Sequence, residues 1–468
     1  MTPKPYVARL ARLGWAALLL ILTLGQPVLA QVSERFTVAK VPVDFLASPG
    51  VPIVDVILSF DAGSRRDPPG QAGTAELTHT LIAKGTAQRD EQAISEAFAD
   101  LATSLTGSVD IDRATLTWRM LAQPEVIDGT IALIAEILGQ ATFPEAVVER
   151  ERQRAVAALQ DALTRPEVIA NRTLTATLYA GHPYGQLATP ESLAALTRTD
   201  LIDFFRRHYT RATAHITIVG DIDRTAAERL AATIANSLPA GEPLPPLPPL
   251  PAPPRTPRLP IVIDHPAEQT HWAIGMALIT RDDPDYFPLL VGNWILGGGG
   301  FNSRLMREVR EARGYAYSVS SALEPLALPG PWTIALQTRG RHAEAAREVV
   351  AATIKNFLAE GPSEDELALA KRALADGFGL RLDSNRKLAS FLSVVGYYRL
   401  PPDWLARYPE AVRAVTAQAI HTAFTQRINP AALAWVRVGG SGDRAESAKP
   451  QPPTQPTAPA AAAHSSVP

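Results

Sequence analysis

Three polar residues with the spacing of a metal-binding helix lie in the segment GTAELTHTLIAKGT, residues 73–86. Glu76, His79 and Thr80 are spaced i, i+3 and i+4, so a helix would carry them on one face. In an H-x-x-E-H zinc site the residues at i and i+4 are imidazole ligands, and the glutamate at i+3 activates water. Here only Glu76 and His79 could bind a metal, and no general base would remain beside them. The segment therefore has the frame of a zinc-peptidase helix without its ligand set.

The residues around this face predict the helix that would carry it. Gly73 and Gly85 bracket the segment, and Leu77, Leu81 and Ile82 supply an apolar stripe on the opposite side. Alternating β-branched and aromatic residues predict two β-strands, over 51–60 and 270–278. Helical periodicity predicts longer helices over 149–162 and 343–358. Strands at both ends of a block with helices between them indicate an α+β sandwich.

The composition limits the classes of partner. The formal net charge is -2, with 45 cationic and 47 anionic residues interspersed along the 468-residue chain. No basic field is available for nucleic acid, so we expect no nucleic-acid partner. The 46% hydrophobic content is enough to build more than one core.

The first thirty residues have the pattern of a secretory signal peptide. Cationic residues precede an apolar run over 13–24, and VLA at 28–30 resembles a cleavage site. The alternative, an uncleaved anchor, is disfavoured because a spanning helix needs about 20 apolar residues. The chain has no Cys, so it carries neither a lipid on Cys nor a disulfide. We expect a signal over 1–30, an exported mature chain that begins near Gln31, and no membrane association after cleavage.

Two similar blocks flank a proline-rich segment. Residues 238–260 hold eleven of the 41 prolines and predict an extended linker. ALTRTDLIDFF from Ala195 and AVTAQAIHTAF from Ala414 align at an offset of 219 residues, and both run on into an apolar strand that ends in Gly. The sequence therefore predicts two homologous domains, over 31–237 and 261–440. A Pro/Ala/Ser-rich tail over 441–468 has the composition of a disordered segment.

Four segments together carry a resemblance to a known family. They are FDAGSRRDPPGQAGTAELTHTLIAKGT from 60, HPYG at 182–185, IVGD at 218–221 and GGGGFNSRLMREVREARGYAYSVSS from 297. In this order and spacing the sequence resembles the pitrilysin/insulinase-like zinc peptidases, which include the mitochondrial processing peptidase subunits. The resemblance spans nearly everything between 35 and 440. It implies two homologous α/β-sandwich halves that form a clamshell.

At the positions where the resembled family has its zinc ligands and catalytic Glu, this sequence has other residues. The first His of the family falls on Glu76, the catalytic Glu on His79, the second His on Thr80, and the third-ligand Glu on Ala157. We therefore expect no metal bound by this chain. An atypical Glu76/His79 site stays open as an alternative to the simpler interpretation, in which His79 is a polar helix residue hydrogen-bonded to a neighbour.

Three further residues with metal-ligand chemistry have simpler interpretations. Glu149 and Glu151 lie in a helix rich in both charges, which predicts a solvated face. His182, in HPYG, is predicted to be a turn residue.

The second block keeps the residues that the resemblance associates with substrate. Arg310 and Tyr317 match a pair that the family's second half contributes to the active site of the first; both donate hydrogen bonds and could hold a peptide carbonyl. We expect Arg310 late in a helix that Gly314 ends, and Tyr317 in the next strand. The alternative is an Arg paired with a nearby Glu and a Tyr packed within a strand. A nucleotide loop is disfavoured at the glycine run, since no Lys-Ser/Thr pair follows it. The resemblance instead implies a substrate-approach loop, formed by Gly297, Gly298, Gly299 and Gly300.

These features favour a non-catalytic, substrate-binding subunit of an exported, periplasmic heterodimer. A homologous partner subunit would carry zinc, its ligands and the general base, and this chain would contribute Arg310 and Tyr317 toward a peptide substrate. Two alternatives stay open. The chain could be a peptide-binding or structural scaffold without a peptidase role, or a self-sufficient metallopeptidase that uses Glu76 and His79.

Overall fold

The computed structural model describes residues 33–254, 256 and 258–440. The expected signal peptide and C-terminal tail lie outside these residues. The strands in the described part of the chain are β1 (Glu34–Val38), β2 (Val41–Ala47), β3 (Ile53–Phe60), β4 (Ser104–Val109), β5 (Ala114–Leu121), β6 (Ala214–Gly220), β7 (Ile261–Ile263), β8 (Gln269–Ile279), β9 (Ala316–Leu323), β10 (Gly330–Arg339) and β11 (Ala434–Val438).

Helices separate these strands in both blocks. The first block contains α1 (Thr74–Leu81), α2 (Glu91–Asp100), α3 (Pro124–Gln140), α4 (Glu145–Ala162), α5 (Pro166–Leu178), α6 (Pro190–Ala195), α7 (Arg198–His208) and α8 (Arg224–Ser237). The second contains α9 (Tyr286–Asn293), α10 (Ala343–Glu360), α11 (Glu364–Ala375), α12 (Asn385–Tyr397), α13 (Trp404–Ala414) and α14 (Ala417–Arg427). None of the helices within the described ranges combines the length and apolar character that crossing a membrane requires.

Each block is built on one mixed sheet, and the two sheets have the same core topology. The first sheet has the order β1-β2-β6-β3-β5-β4, and the second has the order β7-β11-β8-β10-β9. The pair β2 and β6 is parallel, as is the pair β7 and β11, while the other neighbours in both sheets are antiparallel. The strands β4 and β9 form corresponding outer edges.

The helices repeat in register with the strands. Starts 219 residues apart relate α4 to α11 (145 and 364), α5 to α12 (166 and 385) and α7 to α14 (198 and 417). The offset that the sequence shows near the end of each block therefore extends to helices earlier in the block. The prediction of two homologous α/β-sandwich halves is confirmed.

Apolar side chains on one face of each sheet pack against helices of the same half. In the first half, Val56 and Leu58 of β3 join a core with Ile134 of α3 and Ile234 of α8. In the second half, the inward residues of β8 and β10 pack with α10 and α14 in an equivalent core. The alternation along the strands follows from the two-residue period of a pleated sheet.

The other face of each sheet is covered by a helix from the opposite half. Helix α5 packs on β8 and β11, and α12 packs on β3 and β6. Ala170 and Leu174 of α5 share a buried cluster with Val436 and Val438 of β11. Because this exchange is reciprocal, neither half buries its sheet without the other, and the halves pack as one unit.

A buried carboxylate reinforces this contact. Asp112 is fully buried and binds Arg65 at 2.5 Å within the first half. It also accepts hydrogen bonds from the hydroxyl of Tyr398, at 2.7 Å, and from the backbone N–H of Ala327, at 2.7 Å, both in the second half. The Tyr184 hydroxyl donates to it as well, at 2.6 Å. One charge thus connects elements from both halves in a site without water contact.

Most of the elements that the sequence predicts are present with shifted ends. The strands predicted over 51–60 and 270–278 correspond to β3 and β8, and the helices predicted over 149–162 and 343–358 correspond to α4 and α10. In the described part of 238–260 the chain forms neither helix nor strand. Proline explains this, because it supplies no backbone N–H and fixes φ.

Candidate functional site

Helix α1 is fixed at its start by a glycine and an aspartate. Gly73 precedes it with a φ of 102°, a left-handed conformation that favours glycine. The carboxylate of Asp67 accepts from the backbone N–H of Gly73 and of Ala75, both at 2.7 Å. Burial raises the pKa of Asp67 to about 6. On the inner side, Leu77 and Leu81 are buried, as their helical spacing predicts.

The opposite side of α1 carries the residues that the resemblance assigns to the family's zinc positions. Glu76 and Thr80 are exposed, and the Thr80 hydroxyl donates to the Glu76 backbone carbonyl at 2.9 Å. The surrounding protein raises the pKa of the Glu76 carboxyl by removing part of its hydration, although the residue as a whole is exposed. These side chains share the face that the sequence predicts, but Thr80 satisfies its hydroxyl within its own helix.

His79 is held between a tyrosine and an edge strand. Its Nδ1 shares a 3.4 Å hydrogen bond with the hydroxyl of buried Tyr209. A Cβ placed on Gly107 of β4 would lie 2.5 Å from Nε2, so the ring packs directly on the backbone of that strand. Burial lowers the pKa of His79 to about 4, so the imidazole is neutral near pH 7. The interpretation of His79 as a helix residue hydrogen-bonded to a neighbour is confirmed.

The position that the resemblance assigns to the third ligand lies on α4. Ala157 is exposed there and offers only a methyl group. The expectation that Glu151 is solvated was wrong. It is 7% exposed, and its carboxylate accepts hydrogen bonds from Arg150 at 2.7 Å and from Arg154 at 3.0 Å. Two flanking guanidinium groups enclose this carboxylate. The pattern of charges along the helix does not reveal this enclosure.

The residues at these positions do not fit a zinc site. A zinc ion needs about three or four nitrogen, sulfur or carboxylate ligands. Thr80 and Ala157 supply none, while Nδ1 of His79 is shared with Tyr209. Throughout the described ranges, no group of three or more His, Asp or Glu side chains is placed to hold a metal ion.

His182 has a structural role in a turn, as predicted. It caps a short 3-10 helix over Pro183–Gly185, where its Nδ1 accepts from the backbone N–H of Tyr184 at 3.1 Å. Its Nε2 donates to the carbonyl of Pro248 at 2.9 Å. The ring therefore ties the proline-rich linker to the first half.

Arg310 and Tyr317 occupy the elements that the sequence predicts for them. Arg310 is in the last turn of a π-helical segment, Met306–Glu311. Gly314, with a φ of 65°, ends this turn, and its N–H donates to the Arg310 carbonyl at 2.8 Å. Tyr317 follows in β9, at the edge of the second sheet. A left-handed glycine thus turns the chain directly from one residue toward the other.

The structure brings these two residues together with a third, Phe301. The guanidinium carbon of Arg310 lies 4.8 Å from the ring centroid of Phe301 and 4.8 Å from that of Tyr317. Phe301 is 64% exposed and Tyr317 is 78% exposed. Within the described residues no carboxylate pairs with Arg310, so the alternative of an Arg–Glu pair beside a packed Tyr was wrong. Phe301 was missed, and its only sequence signal is an aromatic residue directly after four glycines.

The glycine run packs mainly against its own surroundings. It spans the end of a π-helical segment, Trp294–Gly298, and a 3-10 turn that begins at Gly300. A Cβ on Gly297 would lie 2.5 Å from the Ser321 hydroxyl oxygen, and one on Gly299 would lie 2.8 Å from the Trp294 carbonyl oxygen. Gly300, with a φ of 58°, faces open space. Close packing thus explains part of the run, and its role in substrate approach stays a prediction.

The sequence matches two domain families that cover both halves. Residues 45–190 match the insulinase family, peptidase family M16, and residues 195–374 match the peptidase M16 inactive domain. A crystal structure of a peptidase M16 inactive domain from Pseudomonas fluorescens is 31% identical, with a TM-score of 0.83, over 87% of this chain and 98% of that one. The chain belongs to the M16 peptidase family.

Other M16 relatives are more distant. An uncharacterized zinc protease of Mycobacterium leprae is 28% identical over 350 residues, which cover 74% of this chain and 77% of that protein. A probable mitochondrial-processing peptidase subunit beta of Schizosaccharomyces pombe is 26% identical over 348 residues, 71% of this chain and 75% of that protein. A protease structure from Helicobacter pylori shares the fold, with 18% identity and a TM-score of 0.81 over 87% of this chain and 99% of that one.

Within the M16 family, the two halves of this chain differ in which functional residues they keep. Relatives in the family are named zinc proteases. In this chain the corresponding helix presents Glu76, His79 and Thr80, whereas the second half presents half-buried Arg310 beside exposed Tyr317 of the edge strand. The chemistry of the first site does not suit zinc, and that of the second suits a hydrogen-bond acceptor.

Proposed function

We propose that this chain is the non-catalytic, substrate-binding subunit of an exported, periplasmic zinc metallopeptidase. It completes the peptide-hydrolysing site of a homologous partner that carries zinc and the general base. The observation that carries the proposal is the contrast between the two halves: the first lacks a zinc ligand set, while the second holds half-buried Arg310 against the exposed ring of Tyr317.

The chemistry of the Arg310–Tyr317 pair suits a role in transition-state stabilisation. A guanidinium group presents a planar set of N–H donors, and a phenol adds one O–H donor. Aimed at the carbonyl of a peptide, these donors would stabilise the oxyanion that develops when water attacks. Arg310 has no carboxylate partner among the described residues, so its donors are available to a ligand.

The packing of the halves supports the need for a second chain. Exchange of α5 and α12 and the bonds of buried Asp112 hold the halves against one another. A peptide therefore cannot be enclosed by a hinge between these halves without breaking buried contacts. A chamber around the peptide would form between this chain and a partner. The S. pombe relative is itself named a subunit.

Native mass spectrometry of the complex would test this function. The chain is tagged at its C-terminus in its own host, purified from the exported fraction under mild conditions, and measured together with bound zinc. We expect a one-to-one complex with a second chain of similar size, one zinc that stays with that chain on dissociation, and an N-terminus near Gln31. The matched variant, Glu76→Ala with His79→Ala, should retain the same zinc content.

Three results would contradict the proposal in different ways. A zinc-free monomer or homodimer would favour the scaffold alternative. Zinc retained by this chain, and lost in the double variant, would revive Glu76 and His79 as ligands. Recovery only from the cytoplasmic fraction, with residues 1–30 intact, would overturn export.

A further inference from the structure

A pocket of about 560 Å³ opens beside the Arg310–Tyr317 pair. Its walls come from the edge strand β9, from the neighbouring strand β10, and from the turn that precedes α10. The side chains that give it its chemical character are Gln269, Arg310, Tyr317, Gln337, Arg339 and His342. A ligand group held by Arg310 and Tyr317 would therefore have this pocket as its nearest cavity.

The lining of this pocket is cationic and contains no carboxylate. Arg310 and Arg339 both line it, and neither forms an ion pair within the described ranges of the chain. Arg313, three residues along from Arg310, differs, because Glu308 neutralises it at 2.8 Å. Uncompensated guanidinium groups at a concave surface attract anions more strongly than isolated surface charges do.

The adjacent groove shows the opposite arrangement. This groove, of about 840 Å³, is lined by three arginines and by five acidic residues. Arg304 lies there 2.6 Å from Glu366, and the arginine lowers the pKa of that carboxyl to about 2. Internal ion pairs satisfy the cations of the groove, so an anionic ligand has a reason to prefer the pocket beside Tyr317.

Neighbouring contacts hold the pocket walls in place. The rings of Tyr315 and His342 stack with centroids 5.1 Å apart, and Arg341 donates to Nε2 of His342 at 3.2 Å. Gln337 donates to Gln269 across β8 and β10. The walls are therefore built from packed strands and a stacked pair, which limits the entropy lost when a ligand binds.

We infer that this pocket accepts an acidic side chain of the bound peptide, so that the chain favours peptides with Asp or Glu near the bond to be cleaved. The inference rests on the proposed function and adds a substrate class to it. A carboxylate matches the planar fork of a guanidinium group, and the amides of Gln269 and Gln337 and the ring of His342 add polar contacts. Arg339 would be the residue that determines this preference, while Arg310 also serves the scissile carbonyl.

A pair of isosteric peptides tests the inference directly. Two fluorescein-labelled ten-residue peptides, identical except for Glu or Gln at position five, are titrated with the mature chain and followed by fluorescence anisotropy. We expect the Glu peptide to bind about fivefold more tightly, the ratio that a partly exposed charge pair gives. In 0.5 M salt the ratio should fall to about twofold or less, because screening weakens exposed charge pairs.

Two variants connect the preference to the pocket. Arg339→Gln should bring the ratio of the two affinities close to one. The matched control, Arg313→Gln, removes a neighbouring charge that is already paired with Glu308 and should keep the ratio. A ratio that survives Arg339→Gln, or that Arg313→Gln abolishes equally, would overturn the assignment.

The outcomes separate this inference from the proposed function. Equal, measurable affinities for the two peptides overturn the acidic preference and leave peptide binding in place. Failure of both peptides to bind, whether to the chain alone or to the purified complex, overturns both proposals. A clear preference for Glu, in a chain whose Arg310→Ala variant does not affect turnover of the complex, keeps the pocket and overturns the peptidase role.

Discussion

The guanidinium carbon of Arg310 lies 4.8 Å from the ring centroid of Tyr317, although the two residues belong to different elements. One ends a π-helical segment and the other lies early in an edge strand. A cation over an aromatic face is attracted by the ring quadrupole, which favours one orientation of an otherwise flexible side chain. The pair is therefore oriented before a ligand arrives, with Arg310 half-buried and Tyr317 exposed.

Removal of either donor should slow the proposed complex without dissociating it. We expect Arg310→Ala to lower kcat/KM about 100-fold, and Tyr317→Phe about tenfold, by loss of transition-state hydrogen bonds. Arg310→Lys should recover only part of the loss, because an ammonium group lacks the planar fork. Steady-state hydrolysis of a quenched fluorescent peptide measures this. Arg313→Ala is the control, and unchanged turnover in the Arg310 variants would argue against the proposed role.

Phe301 should affect the activity of the proposed complex by positioning Arg310. Its ring forms the second side of the cation–π contact, 4.8 Å from the guanidinium carbon. Loss of one exposed cation–π contact costs about 0.5–1 kcal/mol, so Phe301→Ala should lower kcat/KM about two- to fivefold. Phe301→Tyr should restore activity. If Phe301→Ala has the same effect in an Arg310→Ala background, the two residues act independently and the positioning role is wrong.

Asp112 should be a main determinant of stability. Its carboxylate is fully buried and binds Arg65 together with hydroxyl and backbone groups from both halves. Replacement by Asn leaves a buried guanidinium group without one of its anions, which costs about 3–5 kcal/mol in free energy of unfolding. Urea unfolding measures the loss. The exposed pair Asp403–Arg407, 3.7 Å apart, provides the control, and Asp403→Asn should cost less than about 0.5 kcal/mol.

Gly396 marks the closest approach of the exchanged helix α12 to the first sheet. A Cβ there would overlap the imidazole of His215 and the carboxylate of Asp44, which are hydrogen-bonded to one another at 2.8 Å. Alanine normally favours a helix over glycine by about 1 kcal/mol, but overpacking costs about 1–3 kcal/mol or more. We expect Gly396→Ala to destabilise the protein in thermal unfolding. Gly377→Ala is the control, because nothing lies within 4 Å of a Cβ at that position. Equal melting temperatures for the two variants would show that α12 can shift.

The half-buried imidazole of His79 should make stability depend on pH. Its pKa is lowered from 6.5 to about 4 by burial. Below pH 6.5 the imidazole takes up a proton in the unfolded chain, whereas in the folded chain it stays neutral until about pH 4. The contribution of His79 to the free energy of unfolding is therefore complete above pH 6.5 and is lost as the pH falls toward 4. Between pH 7.5 and 4.5 the loss from this group amounts to about 2 kcal/mol.

A comparison with His79→Gln isolates that contribution. Other groups titrate in the same interval in both proteins, so the difference between their urea unfolding free energies should change by this amount between the two pH values. Parallel losses in the two proteins would mean that the imidazole is protonated as readily in the folded state as in the unfolded one.

Local sequence was sufficient for features that depend on neighbouring residues. The start of α1 after Gly73, the turn at Gly314, and the positions of Arg310 and Tyr317 follow from backbone preferences and spacing within a few residues. The repeat at 219 residues likewise requires only comparison of the chain with itself. These features were predictable because the interactions that cause them are short in sequence.

Tertiary structure alone decided what is buried and what meets across the halves. Charge patterning placed Glu151 in solvent, but two arginines enclose it. Nothing in the order of residues shows that α5 and α12 exchange sheets, or that Asp112 meets Tyr398, 286 residues further along the chain. The sequence by itself determined the repeated elements and the loss of the zinc ligand set. The packing of distant segments decided that the halves form one unit and that Phe301 flanks Arg310, since such contacts depend on the three-dimensional path of the chain.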